Sequence, residues 1–311
     1  MSDFPDNNSS LVSVVIPTYY RKDRLCRAIQ SIKNQTYDNI EIVVVDDSGE
    51  KFAQFVVAEY DLQYIAQEKN CGPNRARTVG AQTATGDYIQ FLDDDDQLKP
   101  QKLEKQVKYL ETHIDVGVVC CGGEYTTGGR FVPDFPEGEP LRTAITFGLF
   151  GCNTATMLIR QSLLEEILPW PDSPGFDDPW LKTELAKRSG FGKIKQSLVI
   201  IERGYDSRIN SEGELRGMEQ YLDKYRLLYS QFPREVKQKA ECKYYERKAS
   251  WLLEQQIWSS GAIIAYWKAA AVAPNNRLPR YGRIIASILG RPGVKLTENI
   301  FKIMNNIPLL G

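Results

Sequence analysis

The chain has 311 residues, of which 42% are hydrophobic and 25% charged, which is ordinary for a globular protein and allows one large domain or two smaller ones. The formal net charge of -1 gives no global signal for nucleic-acid binding. The six cysteines lack CxxC spacing and His113 is the single histidine, so no zinc site is expected and the cysteines are predicted to be reduced thiols.

The N-terminal residues 1–10 are polar and are predicted to be disordered. They lack the basic patch and long apolar run of a signal peptide. The most apolar later segment, 261–273, is too short to span a membrane and contains Lys268. These features predict a cytoplasmic protein.

Short apolar runs alternate with helical patterns through the first two thirds of the chain. Segment 11–17 reads LVSVVIP, whose β-branched residues are typical of a strand buried on both faces. Further strands are predicted at 40–47, 63–67, 88–92, 116–121, 154–160 and 197–204, and helices at 24–34, 51–60, 70–86, 100–112 and 177–190. This alternation indicates an α/β fold with a parallel sheet, and the pattern becomes helical from about residue 213.

Polar clusters follow three of these strands: PTYYR after the first, DDSG after the second and DDDD after the fourth. Because ligands of open α/β sheets bind at the carboxyl ends of the strands, the clusters are expected to converge on one edge. Four consecutive carboxylates suit a hard divalent cation such as Mg²⁺ or Mn²⁺ that bridges to phosphates. The alternatives are a solvated acidic loop before the helix near Pro100 and, for Asp46–Asp47, a turn-initiating pair.

Arg75 and Arg77 lie early in the predicted helix after NCGPN, where guanidinium groups and a helix N-terminus can bind a diphosphate. Neither GxGxxG nor GxxxxGK[ST] occurs, so dinucleotide and Walker-type loops are not expected. The alternative is that one of these arginines lies on an exposed helix face.

Four segments in order, SVVIPTYYR, IEIVVVDDSG, CGPNRARTVGAQTATGDYIQFLDDDD and GFDDPWLKTELAKR, resemble the family 2 glycosyltransferases. The resemblance implies a GT-A fold, with a Rossmann-like, mostly parallel central sheet flanked by helices, over residues 11–212. Residues 213–311 are predicted to form a C-terminal helical extension. The resemblance also implies an inverting enzyme that moves a sugar from a nucleoside diphosphate sugar to an acceptor hydroxyl. The default donor is a UDP-sugar, with Mn²⁺ or Mg²⁺ on the diphosphate.

The resemblance also implies roles for individual residues. Those expected to line the nucleoside pocket are Pro17, Thr18, Tyr19 and Arg21. Asp47, together with Asp46, is expected to contact base or ribose, and those expected to touch the donor from the following loop and helix are Gly72, Arg75 and Arg77.

The acids at 93–95 match the Asp-x-Asp signature. Asp93 is expected on the ribose and Asp95 on the metal, with Asp94 between them and Asp96 as a spare acid. The second acid of the family's Glu-Asp pair corresponds to Asp178, the predicted general base; without the resemblance, Asp177–Asp178 read as helix N-terminal acids.

The histidine that many relatives place on the metal is missing. His113 lies in the wrong segment, so the metal is expected either to gain Asp206 as a substitute ligand or to be held by Asp95 and the diphosphate alone. Arg203 and Arg208 are candidates for compensating diphosphate charge.

Residues 274–311 contain six basic residues and one acid, a net charge of +5 interleaved with apolar residues. Two interpretations stay open: peripheral contact with the inner face of a membrane, or packing against the catalytic domain or a partner. The acceptor is expected to be a sugar, glycolipid or protein-linked glycan. Two rival functions are a nucleotidyltransferase that makes a sugar nucleotide, and a non-catalytic sugar-nucleotide or carbohydrate binder of the same fold.

Overall fold

A computed structural model describes residues 9–170, 175–202, 211–274 and 278–296. Its strands are β1 (Val12–Thr18), β2 (Ile40–Asp46), β3 (Gln63–Ala66), β4 (Tyr88–Phe91), β5 (Gln97–Leu98), β6 (Val116–Tyr125), β7 (Arg130–Phe131), β8 (Met157–Arg160) and β9 (Gly190–Ile201). Its helices are α1 (Lys22–Lys33), α2 (Gln54–Val57), α3 (Pro73–Thr83), α4 (Lys102–Thr112), α5 (Pro140–Ile145), α6 (Gln161–Glu165), α7 (Asp177–Ala186), α8 (Glu212–Lys224), α9 (Arg226–Tyr229), α10 (Arg234–Gln255), α11 (Ser260–Val272) and α12 (Leu278–Ile288).

The nine strands form one sheet in the order β3-β2-β1-β4-β8-β6-β9-β5, with β7 paired to β6. Strands β3, β2, β1 and β4 are parallel, and β6 and β9 run in the same direction, whereas β8, β5 and β7 run against them. The predicted fold class, a mostly parallel sheet flanked by helices, is therefore confirmed. The parallel half brings the carboxyl ends of β1, β2 and β4 side by side.

Both faces of this sheet are buried, which explains the continuous apolar runs. Along β1, Val12, Val14 and Ile16 pack into a core that includes residues of α1 and α4, whereas Val15 points to the opposite core. That second core includes residues of α3 and α7. Alternate residues of one strand thus stabilise both layers of helix.

Several predicted boundaries need correction. The helix expected at 51–60 is only α2, and the helix expected at 177–190 ends at Ala186. The last strand begins at Gly190, seven residues before its predicted start at 197, because it pairs with β6 over most of that strand's length. The last two residues of this predicted strand, 203–204, lie outside the described residues. The same is true of the candidate site residues Arg203, Asp206 and Arg208.

The expectation that all cysteines are reduced is wrong. Cys120 on β6 forms a disulfide with Cys152, and their Cα atoms are 5.5 Å apart. Both residues are buried in the core, where no CxxC spacing is required because the sheet supplies the proximity. Cys26, Cys71, Cys121 and Cys242 are free thiols.

The described chain divides into two compact units. The first comprises the described parts of Met1–Ala144, Gly148–Asp172 and Asp177–Tyr205, and so contains the sheet. The second comprises Ile145–Phe147 and the described parts of Ser173–Phe176 and Asp206–Gly311. The predicted linear boundary at residue 212 stays a prediction, as does disorder of residues 1–10, most of which lie outside the described residues.

The second unit is built on α10, against which α11 packs, with α12 packed on α11. The short segment Ile145–Phe147 belongs to this unit: the Tyr229 hydroxyl donates to the Ile145 carbonyl at 2.7 Å, and the Lys243 ammonium donates to the Thr146 carbonyl at 2.8 Å. The Phe147 ring packs edge-on against those of Phe176 and Tyr221. Within the described residues, no helix is long and apolar enough to cross a membrane.

Candidate active site

The acidic loop 93–96 follows β4 directly and is tied to the end of β1. Buried Asp94 accepts a hydrogen bond from Thr18 Oγ1 at 2.8 Å and pairs with Arg21 Nη1 at 3.1 Å. The backbone closes a turn in which Asp96 N donates to the Asp93 carbonyl at 3.0 Å. The structure thus brings three predicted site residues, Thr18, Arg21 and Asp94, into direct contact.

Arginines of α1 and its N-terminus surround Asp95, the predicted metal ligand. Asp95 Oδ2 lies 2.8 Å from Arg21 Nη1 and 3.3 Å from Arg24 Nη1. Arg24 also pairs with Glu202 at 2.9 Å, and Arg27 pairs with the same carboxylate at 3.4 Å. Glu202 N in turn donates to Asp96 Oδ1 at 3.0 Å. A charged network therefore joins α1, the acidic loop and the end of β9.

Sequence analysis missed Arg24, Arg27 and Glu202. The three arginines at 21, 24 and 27 are spaced by three residues, which places them on one side of a helix, and this spacing was the available signal. For Glu202 there was no such signal, because its proximity depends on how β9 pairs in the sheet.

Crowding of the carboxylates changes their protonation. Burial raises the pKa of Asp94 to about 6, even though Thr18 and Arg21 stabilise its charged form. Burial, followed by the charges of Asp93 and Asp95, raises the pKa of Asp96 to about 8. The pKa of Asp95 is also raised, by burial and then by Asp93. Burial therefore opposes ionisation of these three carboxylates, and the neighbouring acids add to this effect.

Replacing Asp96 by Asn is expected to stabilise the ligand-free protein. The folded state takes up a proton on Asp96 between the usual pKa of 3.8 and about 8, so the wild type loses stability as the pH rises through this window. The variant lacks this loss, while its amide oxygen can still accept from Glu202 N. Thermal unfolding in EDTA should give a Tm about 2–4 °C higher at pH 8, corresponding to roughly 1 kcal/mol, and a smaller gain at pH 5.

Asp87→Asn is the matched control for this experiment, since the exposed Asp87 also accepts one backbone N–H, from Leu11 at 2.9 Å. Its effect should stay within about 0.5 kcal/mol. A lower Tm for Asp96→Asn at pH 8 would mean that the charged carboxylate stabilises the loop, contrary to this account.

The second strand end is organised by Asp46 and Asp47, which are both buried. Asp46 accepts from Ser48 N at 2.9 Å, from Ala53 N at 2.7 Å and from the Tyr64 hydroxyl, so its carboxylate closes the turn after β2. This arrangement favours the turn-forming interpretation for Asp46. Its role in donor binding stays a prediction.

Asp47 instead holds the loop before α3. Its two oxygens accept from Cys71 N and Gly72 N, each at 2.8 Å. Gly72 has φ +85°, a left-handed conformation that glycine adopts without strain, and it precedes Pro73 at the first position of α3. Asp47 therefore fixes where α3 begins and, through it, where Arg77 lies.

Arg77 pairs with the acidic loop and interacts electrostatically with Asp178. It is buried, its Nη2 pairs with Asp93 at 2.5 Å, and its guanidinium lies 5.5 Å from the centre of the Trp170 ring. Burial lowers the pKa of Arg77, but Asp93 and then Asp178 and Asp177 raise it above its usual value overall. Asp178 lies in the first turn of α7, and its charge acts on Arg77 through electrostatic attraction.

The remaining predicted site residues lie around the ends of β1 and α3. Pro17 is buried in β1, whereas Tyr19 and Arg75 are exposed. The Tyr19 ring contacts that of Tyr20, whose ring centre lies 5.0 Å from that of Phe52. Exposed aromatic rings thus stand beside the turn after β2.

The chemistry of this site fits a divalent cation. Oxygen ligands are plentiful. Burial, followed by repulsion from neighbouring acids, raises the pKa values of Asp95 and Asp96, and a cation would relieve that repulsion. Among the described residues, no three acidic, cysteine or histidine side chains are placed to hold an ion by themselves. The role of Asp95 as a metal ligand therefore stays a prediction.

Solved structures share this architecture. The S. aureus TarS fragment 1–349, solved in complex with UDP-GlcNAc, matches with a TM-score of 0.65 over 94% of this chain and 92% of its own, at 18% identity. The mannosyltransferase PcManGT from Pyrobaculum calidifontis, solved with GDP-Man and Mn²⁺, gives 0.58 over 96% of this chain and 86% of its own, at 18% identity. The fold is therefore that of GT-A glycosyltransferases.

Sequence comparison defines the family. Residues 13–168, half of the chain, match the profile of Glycosyl transferase family 2, and the chain belongs to this family. The uncharacterized glycosyltransferase YwdF of Bacillus subtilis is 39% identical over 44% of this chain, and the putative colanic acid biosynthesis glycosyl transferase WcaA of Escherichia coli is 32% identical over 42%. These alignments span 54% and 50% of the two relatives' own length.

Proposed function

We propose that this protein is an inverting glycosyltransferase that moves a sugar from a nucleoside diphosphate sugar to an acceptor hydroxyl. The observation that carries the proposal is the position of Arg77, which pairs with Asp93 of the acidic loop and interacts electrostatically with Asp178 of α7. In this proposal Asp93 contacts the donor, Asp178 accepts the proton, and the buried Arg77 lies within electrostatic range of both.

Asp178 is proposed as the general base. In an inverting transfer, a carboxylate removes the acceptor hydroxyl's proton while the oxygen attacks the anomeric carbon from the side opposite the diphosphate. Asp178 lies in the first turn of α7, where acidic side chains interact favourably with the helix N-terminus.

The diphosphate is proposed to lie near Asp95 and the arginines of α1. A bound Mn²⁺ or Mg²⁺ would supply charge neutralisation for the departing diphosphate. Arg21 and Arg24, which pair with Asp95 here, are then available to the phosphate oxygens, since guanidinium groups bind carboxylates and phosphates alike.

For the donor and the product, only the chemical class is proposed. A UDP-sugar is the default donor, and TarS in complex with UDP-GlcNAc supports it, whereas PcManGT in complex with GDP-Man favours guanosine. The name of the relative WcaA favours glycan assembly. The acceptor is proposed to be a hydroxyl of a sugar, glycolipid or protein-linked glycan.

A thermal-shift panel of nucleotides and sugar nucleotides, with and without Mn²⁺, tests this proposal. One nucleoside diphosphate sugar should raise the Tm only when Mn²⁺ is present, since a ligand at 100 times its Kd adds about 2.7 kcal/mol. In Asp95→Asn the Mn²⁺-dependent part of the shift should disappear, because the proposed metal ligand is lost. Asp87→Asn should retain it.

The rival functions are distinguished by the same panel followed by product analysis. Formation of a sugar nucleotide from a nucleoside triphosphate and a sugar phosphate would identify a nucleotidyltransferase. Sugar-nucleotide binding with neither hydrolysis nor transfer across an acceptor panel would indicate a binding protein. If no nucleotide changes the Tm, the proposal is wrong.

A further inference from the structure

Helix α11 buries mainly small residues and exposes large apolar ones, whereas a helix of a globular protein usually buries its large apolar residues. Its buried face toward the rest of the second unit consists of small residues and one tyrosine: Ala262, Ala265, Tyr266, Ala269 and Ala270. Its solvent-facing positions include Ile264 and Trp267, both more than half exposed. Burying alanine while exposing isoleucine and tryptophan is unfavourable in water.

Helix α12 repeats this inversion more strongly. Ala286 and Ser287 are buried, and the Ser287 hydroxyl donates a hydrogen bond to the Ile284 carbonyl at 2.6 Å. Tyr281, Ile285 and Ile288 instead face solvent at spacings of four and three residues, so they form one stripe. The helix is amphipathic, and Tyr281, Ile285 and Ile288 lie on its exposed side.

Two contacts join this stripe to the turn between α10 and α11. The Trp258 indole N–H donates to the Ile288 carbonyl at 3.0 Å, and Arg291 N donates to the Ile257 carbonyl at 2.7 Å. Ile257 and Trp258 are themselves 73% and 54% exposed. With Leu289, which is 72% exposed, they form an exposed apolar surface together with Ile285 and Ile288 of the stripe. We call this surface the apolar ridge: Ile257, Trp258, Ile285, Ile288 and Leu289.

Positive charge borders the apolar ridge. Arg291 and Lys295 are exposed directly after it, in the helical residues 290–296. Arg280 and Arg283 on α12 share the carboxylate of Glu246, at 3.1 and 3.4 Å, so one acid faces two guanidinium groups. Over residues 274–311 the net charge is +5.

We propose that the apolar ridge binds the surface of an anionic lipid bilayer. Amphipathic helices with aliphatic and aromatic residues on one side and basic residues beside them lie in the membrane interface, and Trp258 has the half-apolar, half-polar side chain that suits headgroup depth. A second copy is a poorer fit, because a two-fold contact through the ridge would bring Arg291 and Lys295 near the same residues of its partner. This inference is independent of the proposed glycosyl transfer.

Sedimentation with vesicles tests the inference on the full chain. The protein should bind vesicles of phosphatidylcholine mixed with phosphatidylglycerol and bind pure phosphatidylcholine much more weakly. The double variant Ile285→Ser, Leu289→Ser should lower the partition coefficient at least about tenfold, since it removes apolar area from the interface. Arg291→Gln and Lys295→Gln should each lower it about fivefold at low salt.

Leu227→Ser is the matched control, because Leu227 is 74% exposed in the same unit but lies on α9. It should bind as the wild type does, and all variants should keep the wild-type Tm because the changed side chains are exposed. Failure of the wild type to bind the anionic vesicles, or unchanged binding by the double variant, overturns the inference. So does a wild-type oligomer in light scattering that the double variant converts to monomers without any vesicle binding.

Discussion

Asp178→Asn is expected to lower kcat about 10³-fold while the dissociation constant of the donor stays near its wild-type value. Asn has the same shape and can accept a hydrogen bond, but it cannot take the proton of the acceptor hydroxyl, and loss of a general base costs between about 10² and 10⁴ in rate. Asp178 is half-buried in the first turn of α7 and interacts electrostatically with Arg77 and with the half-buried Lys182. Steady-state kinetics combined with donor titration by calorimetry would separate the two effects.

Glu235→Gln is the control for the electrostatic part of this change, since Glu235 is an exposed acid in the first turn of α10. Both variants lose a favourable interaction with a helix N-terminus, worth about 0.3–1 kcal/mol of stability, so only the effect on kcat should distinguish them. Normal turnover by Asp178→Asn would refute the assignment of the base. Loss of donor binding together with kcat would instead mean that Asp178 has a structural role.

Arg77→Lys is expected to reduce kcat/KM at least about 100-fold, because a lysine ammonium cannot reproduce the planar group that pairs with Asp93 and lies against Trp170. Burial of the Arg77 side chain makes this mismatch costly. The free energy of unfolding should fall by about 2–3 kcal/mol, somewhat below the cost of breaking a fully buried pair, because Asp93 is partly exposed. Kinetics on the folded fraction and urea unfolding measure the two effects.

Arg160→Lys offers a matched comparison. Arg160 also lies against an aromatic ring, that of Tyr88 at 5.6 Å, and donates to the carbonyls of Val116 and Leu110, but it pairs with backbone rather than with acids of the site. The free energy of unfolding of Arg160→Lys should fall by an amount similar to that of Arg77→Lys. The kcat/KM of its folded protein should stay within about twofold of the wild-type value. Equal losses of activity in both variants would show that Arg77 acts only through stability.

The predicted strands were recovered where the sequence carries a strong local signal. The runs at 11–17 and 40–47 are β-branched and buried on both faces, so their type and place follow from composition alone. The start of β9 was missed because residues 190–196 alternate glycine, lysine and glutamine with few apolar residues. There the partner strand β6 decides the conformation.

The ion pairs of the site also combine features that the sequence predicts with features that depend on the tertiary structure. That acids follow β2 and β4 is visible in the sequence, and parallel strands align their carboxyl ends. The sequence does not show which arginine pairs with which acid, because Arg24 and Asp95 are 71 residues apart and Glu202 lies farther still. Likewise Cys120 and Cys152 pair because β6 and the approach to β8 are neighbours in the sheet.

The amino-acid sequence by itself determined the alternation of elements, the family and the residue types gathered at the strand ends, because these depend on short-range patterns and ordered motifs. Only the tertiary structure decided that Asp46 closes a turn, that Arg77 pairs with Asp93, and that α11 and α12 expose large apolar residues. The physical reason is that burial and ion pairing depend on distances between residues far apart in the chain, and the packing of the elements sets those distances.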